Sequence, residues 1–260
     1  MKTTTKTFLW IAVAAICLLA GSYAVESINR IKSNIASKRS KAKIQKELAS
    51  IKTDSTTIEN IHNIILMDES GSMSSLRGTA IDGAAEVINS IKAASDSVKS
   101  VKQFLTLAFF DGSNGLRLEY VVDNQPVKDI QADLSIYTPT GMTPLYDAIG
   151  TVIMKHLEKI GPHDYTLMSI ITDGYENDSR KYRASDIKTM VDTLSTKNWT
   201  FTYIGANQDA ILEGGKMGIN DSYNYDNTHD GYRQMMRQDT RRRIGRINGI
   251  ANGRGRNNNE

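Results

Sequence analysis

The sequence contains a single cysteine and lacks the motifs of several enzyme classes. Cys17 lies in an apolar stretch near the N-terminus, so the chain cannot form an internal disulfide. There is no Gly-x-x-x-x-Gly-Lys loop for nucleotide phosphates, no Gly-x-Ser-x-Gly nucleophile elbow and no His-x-x-x-His zinc pair. These absences indicate that the protein is not an enzyme.

The net charge is small, but the charges are segregated along the chain. The formal charge of +3 is divided into +6 over residues 1–60, −8 over residues 61–227 and +5 over residues 228–260. An acidic centre between basic ends favours a cation-binding domain flanked by segments that meet anionic surfaces. The predicted organisation is a hydrophobic segment (1–25), a basic stalk helix and linker (26–60), a folded domain (61–227) and a basic Arg/Gly/Asn-rich tail (228–260).

The N-terminal hydrophobic segment has two interpretations. Residues 8–20 are uninterrupted apolar residues, and the stretch reaches Val25 if residues 21–23 are tolerated. A cleaved signal peptide fits the short run and a cleavage position near Ala24, and it would make the protein secreted or periplasmic. A membrane anchor over residues 8–25 is at the short end for crossing a bilayer. The basic flank that follows favours a single-pass anchor with the domain on the cytoplasmic side, because such a flank resists export.

Residues 61–227 alternate between short apolar runs and stretches with helical spacing. This alternation predicts an α/β fold with a doubly wound, mostly parallel sheet and helices on both faces. Residues 104–110 end at Asp111-Gly112, and Ser-Asn-Gly at 113–115 connects them to residues 116–122, which is typical of a hairpin. The second of these strands is therefore the predicted antiparallel edge of the sheet.

Three oxygen-bearing side chains follow the first apolar run. Residues 61–67 have the β-branched content of a strand buried on both faces, and Asp68, Ser70 and Ser72 come directly after it. Open α/β sheets place their sites at the carboxyl ends of strands. Asp-x-Ser-x-Ser therefore predicts part of a divalent-cation site. The second aspartate that a haloacid-dehalogenase-type phosphatase needs two positions after the first is absent.

This motif resembles the signature of von Willebrand factor A (vWA) domains, which opens their metal-ion-dependent adhesion site. The family completes the site with a threonine in a later loop and an aspartate after a later strand. Thr143, in Thr-Gly-Met-Thr-Pro-Leu-Tyr-Asp, and Asp173, in Ile-Thr-Asp-Gly-Tyr-Glu-Asn, match in the same order. The match covers about residues 60–227 and is most similar to bacterial or phage-type single-domain members.

The resemblance implies a metal centre that captures a protein partner. Ser70 and Ser72 would be direct ligands, Thr143 would join them when the partner is engaged, and Asp68 and Asp173 would hold the ion largely through water. The expected ion is Mg²⁺ or Mn²⁺, with Ca²⁺ left open, since hard cations prefer oxygen ligands. The expected partner is a protein that offers an exposed Asp or Glu.

Other charged residues are candidates for supporting roles. Asp111 and Asp147 could support the ligands without binding the ion, and Asp147 could instead be an acid in the first turn of a helix, where it favours the helix dipole. An arginine cluster in the basic tail is a candidate for binding an anionic surface: Arg241, Arg242, Arg243 and Arg246. The alternative hypothesis is a nucleic-acid-associated protein that binds through this tail and uses the domain as a scaffold. No aromatic residue is interleaved after Tyr232, which removes the stacking contribution to such binding.

Overall fold

Six strands form one sheet in the order β3-β2-β1-β4-β5-β6. The structure is a computed structural model that describes residues 38, 41–53, 57–206 and 210–253. Neighbouring strands are parallel except β2 and β3, which are antiparallel. The strands are β1 (Asn60–Asp68), β2 (Lys102–Asp111), β3 (Arg117–Pro126), β4 (Asp164–Thr172), β5 (Trp199–Ala206) and β6 (Asp221–Tyr225). The predicted α/β sheet with one antiparallel edge strand is confirmed.

Five helices of the same unit flank this sheet: α2 (Arg77–Ser97), α3 (Leu145–Leu157), α4 (Ala184–Leu194), α5 (Ala210–Lys216) and α6 (His229–Ala251). A further helix, α1, covers residues 41–50. Helix α2 packs against α6, and α3 packs against α4.

The chain divides into two compact units, residues 1–49 and residues 50–260. The sheet and helices α2 to α6 all belong to the second unit. In the part of the chain that the structure describes, no helix combines the length and apolar character needed to span a bilayer. The predicted membrane segment, residues 8–25, lies outside the described residues, as do residues 26–37, 39–40 and 54–56 of the predicted stalk and linker.

The central strand β1 is buried on both faces. Ile65 and Met67 belong to the apolar core formed with α2 and α6. Ile64 lines a small cavity on the other side together with Val152 and His156 of α3. A strand covered on both faces needs apolar residues at successive positions, which explains why the run at residues 61–67 does not alternate.

The register of the central strands determines where the site forms. Met67 of β1 pairs with Ile171 of β4, so Asp68 and Thr172 end adjacent strands at the same edge of the sheet. A 3-10 turn over Gly71–Leu76 then leads from β1 into α2. The side chains that follow β1 and β4 are therefore neighbours although about a hundred residues separate them in the sequence.

Most of the basic C-terminal segment is helical. Residues 229–251 form α6, which begins with Thr228 accepting a hydrogen bond from the N–H of Gly231. One side of α6 is buried in the same compact unit as the sheet and includes Tyr232, Met236 and Ile247. Their helical spacing in the sequence is compatible with one apolar face, although most residues of the helix are polar or charged.

Candidate metal centre

The centre begins at Asp68, the last residue of β1. Its carboxylate is fully buried and accepts hydrogen bonds from the N–H of Ser70 at 2.7 Å and the hydroxyl of Thr172 at 2.5 Å. The Tyr137 hydroxyl donates to the backbone carbonyl of Asp68 at 2.7 Å. The position of this carboxylate is therefore set by three separate segments of the chain.

The two serine hydroxyls connect β1 to β4. Ser70 Oγ lies 3.1 Å from Ser72 Oγ, and Ser72 Oγ donates to Asp173 Oδ1 at 2.6 Å. Asp173 comes directly after β4, so the motif after β1 and the aspartate after β4 form one group.

Thr143 reaches the same point from the loop before α3. A Cβ placed on Gly174 would lie 3.2 Å from Thr143 Oγ1, 3.6 Å from Ser72 Oγ and 3.8 Å from Asp68 Oδ2. Three predicted ligands thus lie within 4 Å of one point beside Gly174, and a side chain at this position would press closely on Thr143 Oγ1. With the hydrogen bonds of Ser70 and Asp173, the structure brings all five predicted ligands together.

The electrostatics of this group suit a cation. Among the described residues, no Lys, Arg or His forms an ion pair with Asp68 or Asp173. Burial raises the pKa of Asp68 to about 7, although hydrogen bonds from Thr172 and Ser70 lower it and the charge of Asp173 raises it further. Burial raises the pKa of Asp173 as well, and its buried Oδ2 has no hydrogen-bond partner among the described residues. Two desolvated carboxylates with one open oxygen are stabilised by a positive charge placed between them.

The donor set also determines which metals fit. In the described part of the chain, no group of three or more His, Cys, Asp or Glu side chains is arranged to hold a metal. Here two carboxylates are joined by three hydroxyls, an all-oxygen set that fits Mg²⁺, Mn²⁺ or Ca²⁺ rather than a thiolate- or imidazole-binding ion.

Comparisons with known proteins bear on the fold. No protein-family model matches the sequence, and no curated protein matches it. The SpRpn10 VWA domain aligns with a TM-score of 0.50 and 11% identity, over 70% of this chain and 95% of that domain. This chain has the von Willebrand factor A fold.

Two larger proteins contain a similar fold. The pilus adhesin SpaC from Lactobacillus rhamnosus GG aligns with a TM-score of 0.54 and 13% identity, over 75% of this chain and 31% of SpaC. PTMP1 from the mussel byssus aligns with a TM-score of 0.52 and 14% identity, over 74% of this chain and 47% of PTMP1. The chain thus spans less than half the length of either protein, and the likeness concerns the vWA fold alone.

Asp111 lies at the neighbouring strand end of the vWA domain and has a different partner. Its Oδ2 accepts from Arg117 Nε at 2.5 Å, and Arg117 also pairs with the buried carboxylate of Glu69. Burial raises the pKa of Glu69, although the N–H of Thr138 and the charge of Arg117 lower it. Asp111 therefore joins the ends of β1, β2 and β3 through Arg117.

Asp147 stabilises the loop after β4. Its carboxylate accepts N–H hydrogen bonds from Arg180 at 2.9 Å, Lys181 at 2.9 Å and Tyr182 at 2.7 Å. This role is more specific than that of an acid in the first turn of α3, since three consecutive amides of another segment depend on it.

The arginines of α6 do not form one anionic-surface site. Arg243 is buried, with 3% of its surface exposed, so its predicted role at a surface is wrong. Arg242 and Arg246 pair with Asp221 of β6 at 3.0 and 2.5 Å, and Arg241 is exposed. Successive residues of a helix point in different directions, so four arginines close in sequence cannot share one face.

Sequence reasoning missed two residues that support the centre. Thr172 holds the Asp68 carboxylate, as described above. Asn177 fixes Thr143, because its Oδ1 accepts from the Thr143 N–H at 2.7 Å while its own N–H donates to the Thr143 carbonyl at 3.1 Å. Both lie in the stretch Ile-Thr-Asp-Gly-Tyr-Glu-Asn, whose polar residues on either side of Asp173 were the available signal.

Proposed function

We propose that this vWA domain binds a protein partner by capturing an acidic side chain through a divalent cation. The observation that carries the proposal is the group of two buried carboxylates and three hydroxyls around Gly174, with no basic side chain paired to either carboxylate among the described residues. Asp68, Ser70, Ser72, Thr143 and Asp173 would hold the ion, and Mg²⁺ or Mn²⁺ is the proposed occupant.

The composition of the site supports ligand capture. Hydroxyl ligands are neutral, so two carboxylates leave a divalent ion without excess negative charge around it. An ion bound in this way supplies an open coordination position that attracts an external carboxylate. Thr172 and Asn177 contribute by orienting Asp68 and Thr143.

Binding is preferred over catalysis because Ser70 lacks a general base. Its hydroxyl contacts Ser72, whereas the hydrogen-bond partners of the histidines lie elsewhere: His62 contacts Asp164 and Asn124, and His156 contacts Thr166. A serine nucleophile needs a base within hydrogen-bond reach.

We further propose that residues 8–25 anchor the protein in a membrane, with the vWA domain on the cytoplasmic side. The basic residues that follow the segment support this orientation. A secreted or periplasmic protein cleaved near Ala24 is the alternative.

The metal proposal is tested by thermal unfolding during titration with Mg²⁺, Mn²⁺ and Ca²⁺. At 100 times its dissociation constant the preferred ion should stabilise the wild type by about 2.7 kcal/mol. Asp173→Ala should abolish this stabilisation while the protein still folds, because apolar burial holds β4. Asp96→Ala removes an exposed carboxylate of α2 and should behave like the wild type. A melting temperature that no divalent ion changes would exclude the proposed centre.

A further inference from the structure

Two exposed apolar side chains flank the metal centre. Among the described residues, only five large hydrophobic side chains are exposed: Ile136, Met142, Tyr175, Ile211 and Leu212. Met142 directly precedes Thr143 and is 48% exposed, and Tyr175 follows Asp173 by two residues and is 54% exposed. Exposed apolar residues gathered beside a binding site mark an interaction surface more often than scattered ones do.

The backbone is held at Met142 and next to Tyr175, where the Gly174 N–H donates to Thr172 Oγ1 at 3.0 Å. The Met142 carbonyl accepts from the Gly112 N–H at 2.8 Å, and a Cβ on Gly112 would lie only 2.8 Å from Met142 Cβ. Tyr175 lies in the segment that Asn177 ties to Thr143. The two side chains are therefore presented from fixed positions rather than from loose loops, which lowers the entropic cost of binding.

The exposed charge near this surface is positive. Glu176 is turned inward and accepts N–H hydrogen bonds from Asp178 and Ser179 at 3.0 and 2.7 Å. Asp178 lies beside Gly112 and pairs with Arg180 at 2.9 Å, and the Arg180 side chain is 72% exposed. The carboxylates of this loop are thus bound within it, and the exposed member of the Asp178–Arg180 pair is the cation, which suits an acidic partner segment.

We propose that Met142 and Tyr175 form a docking surface for a protein segment in which an acidic residue stands next to an apolar one. This inference rests on the proposed function, since the acidic residue occupies the metal centre. The apolar neighbour covers Met142 or Tyr175 and excludes water from the ion–carboxylate contact, which strengthens that contact in a lower dielectric. Methionine adapts its shape to different apolar groups, and tyrosine adds area at low entropic cost.

The test is a selection of displayed random heptapeptides on the immobilised full-length protein in Mg²⁺, with elution by EDTA. The eluted peptides should carry Asp or Glu directly beside Leu, Met, Phe, Tyr or Trp. A synthetic peptide with such a pair should bind about tenfold more tightly than its counterpart with serine at the apolar position, which corresponds to about 1.4 kcal/mol.

Variants of this chain complete the test. Met142→Gln, which keeps the length of the side chain, and Tyr175→Ser should remove most of that tenfold preference without changing Mg²⁺ affinity or melting temperature. Lys99→Ser is the control, because this side chain is 76% exposed and lies just before β2 begins, at the opposite end of the sheet from the metal centre. It should leave peptide binding unchanged.

The outcomes separate this inference from the function on which it rests. The docking surface would be overturned if the EDTA-eluted peptides carried an acid without an apolar neighbour. It would also be overturned if both variants kept the tenfold preference for the apolar neighbour. Metal-dependent capture would stand in either case. If the wild type enriched no EDTA-eluted peptide relative to Asp173→Ala, the docking surface and the proposed metal-dependent capture would both be overturned.

Discussion

At the scale of single residues, Asn177 connects the two loops that carry the later ligands. It follows Asp173 by four residues and holds Thr143 through one side-chain and one backbone hydrogen bond. The backbone bond survives substitution, whereas the side-chain bond does not. The position of the Thr143 hydroxyl therefore depends on a residue that has no direct part in the predicted ligand set.

Asn177→Ala should destabilise the vWA domain by about 1 kcal/mol and weaken capture of an acidic peptide, because the Thr143 N–H loses its acceptor. Asn177→Asp retains an acceptor oxygen at the same place and should preserve most of the stability. Denaturant midpoints and Mg²⁺-dependent peptide binding measure both effects. Equal losses in the two variants would show that the acceptor is not what Asn177 contributes.

At the scale of elements, α6 is fastened to the sheet by a buried arginine. Arg243 Nη1 donates to the carbonyl of Leu167 at 3.0 Å, and Nη2 donates to the Ser169 hydroxyl at 2.6 Å. Asp239, one turn earlier, accepts from Ser169 at 2.9 Å and faces Arg243 Nε at 3.8 Å. Deleting residues 231–260 would therefore remove part of the core rather than a separate tail.

Arg243→Ala should lower the free energy of unfolding by about 3–5 kcal/mol, because it leaves Asp239 buried without its counter-charge. The double variant Arg243→Met with Asp239→Leu should recover most of this loss by replacing the pair with apolar groups. Arg241→Ala, at an exposed position on the same helix, is the control and should cost under about 0.5 kcal/mol. Equal destabilisation by the two single alanine variants would show that the buried Arg243 does not hold α6 to the sheet.

A second feature at the scale of elements is a pair of neighbouring histidines, His62 of β1 and His156 of α3. The ring of His156 lies 4.9 Å from that of His62, and its Nε2 is 3.3 Å from Thr166 Oγ1. Burial, with smaller contributions from the charges of His62 and Lys159, lowers the pKa of His156 to about 3. His156 is therefore neutral in the folded protein near neutral pH.

The wild type should lose about 2 kcal/mol of stability relative to His156→Gln between pH 7 and pH 5, since the unfolded chain protonates His156 near pH 6.5 and the folded chain does not until about pH 3. The raised pKa of Asp68 favours the folded state over the same pH range, but it does so in both proteins and cancels in this difference. Burial opposes the shift of Asp164, but hydrogen bonds from His62 and Asn60 lower its pKa to about 2, so Asp164 affects stability only at lower pH. Urea unfolding at both pH values measures the difference. His163→Gln should show the pH dependence of the wild type, and an unchanged pH dependence in His156→Gln would refute this assignment.

At the scale of the whole molecule, the chain combines a vWA domain with a hydrophobic N-terminal segment. The compact unit over residues 50–260 contains the sheet and the metal centre. The segment 8–25 would determine on which side of a membrane that centre meets its partner.

The full-length protein should sediment with membranes and resist carbonate extraction, because residues 8–25 would be inserted in the bilayer. A truncated chain that begins at Thr53 should remain in the supernatant. Protease added to intact cells or spheroplasts should leave the domain uncut if it is cytoplasmic. A soluble protein whose mature N-terminus is Val25 would establish the signal peptide instead.

The sequence by itself determined the type of fold and the composition of the predicted site. The alternation of apolar runs and helical spacing is a local property, and it specified a parallel sheet with one hairpin edge because strand and helix periods differ. Asp68, Ser70 and Ser72 are local too, since they directly follow a strand. Thr143 and Asp173 were found through the family resemblance and its order of residues.

Tertiary structure alone decided which polar residues serve the centre and which serve the core. Asp111 and Asp147 look equivalent to Asp173 in sequence, but Arg117 and the loop after β4 engage them. Arg243 looks equivalent to Arg241, but the direction in which it leaves α6 buries it under the sheet. Most of these partners lie tens of residues away, and Arg117, six residues after Asp111, is brought to it by the pairing of β2 with β3. Local pattern carries no information about contacts that form only when the strands and helices pack together.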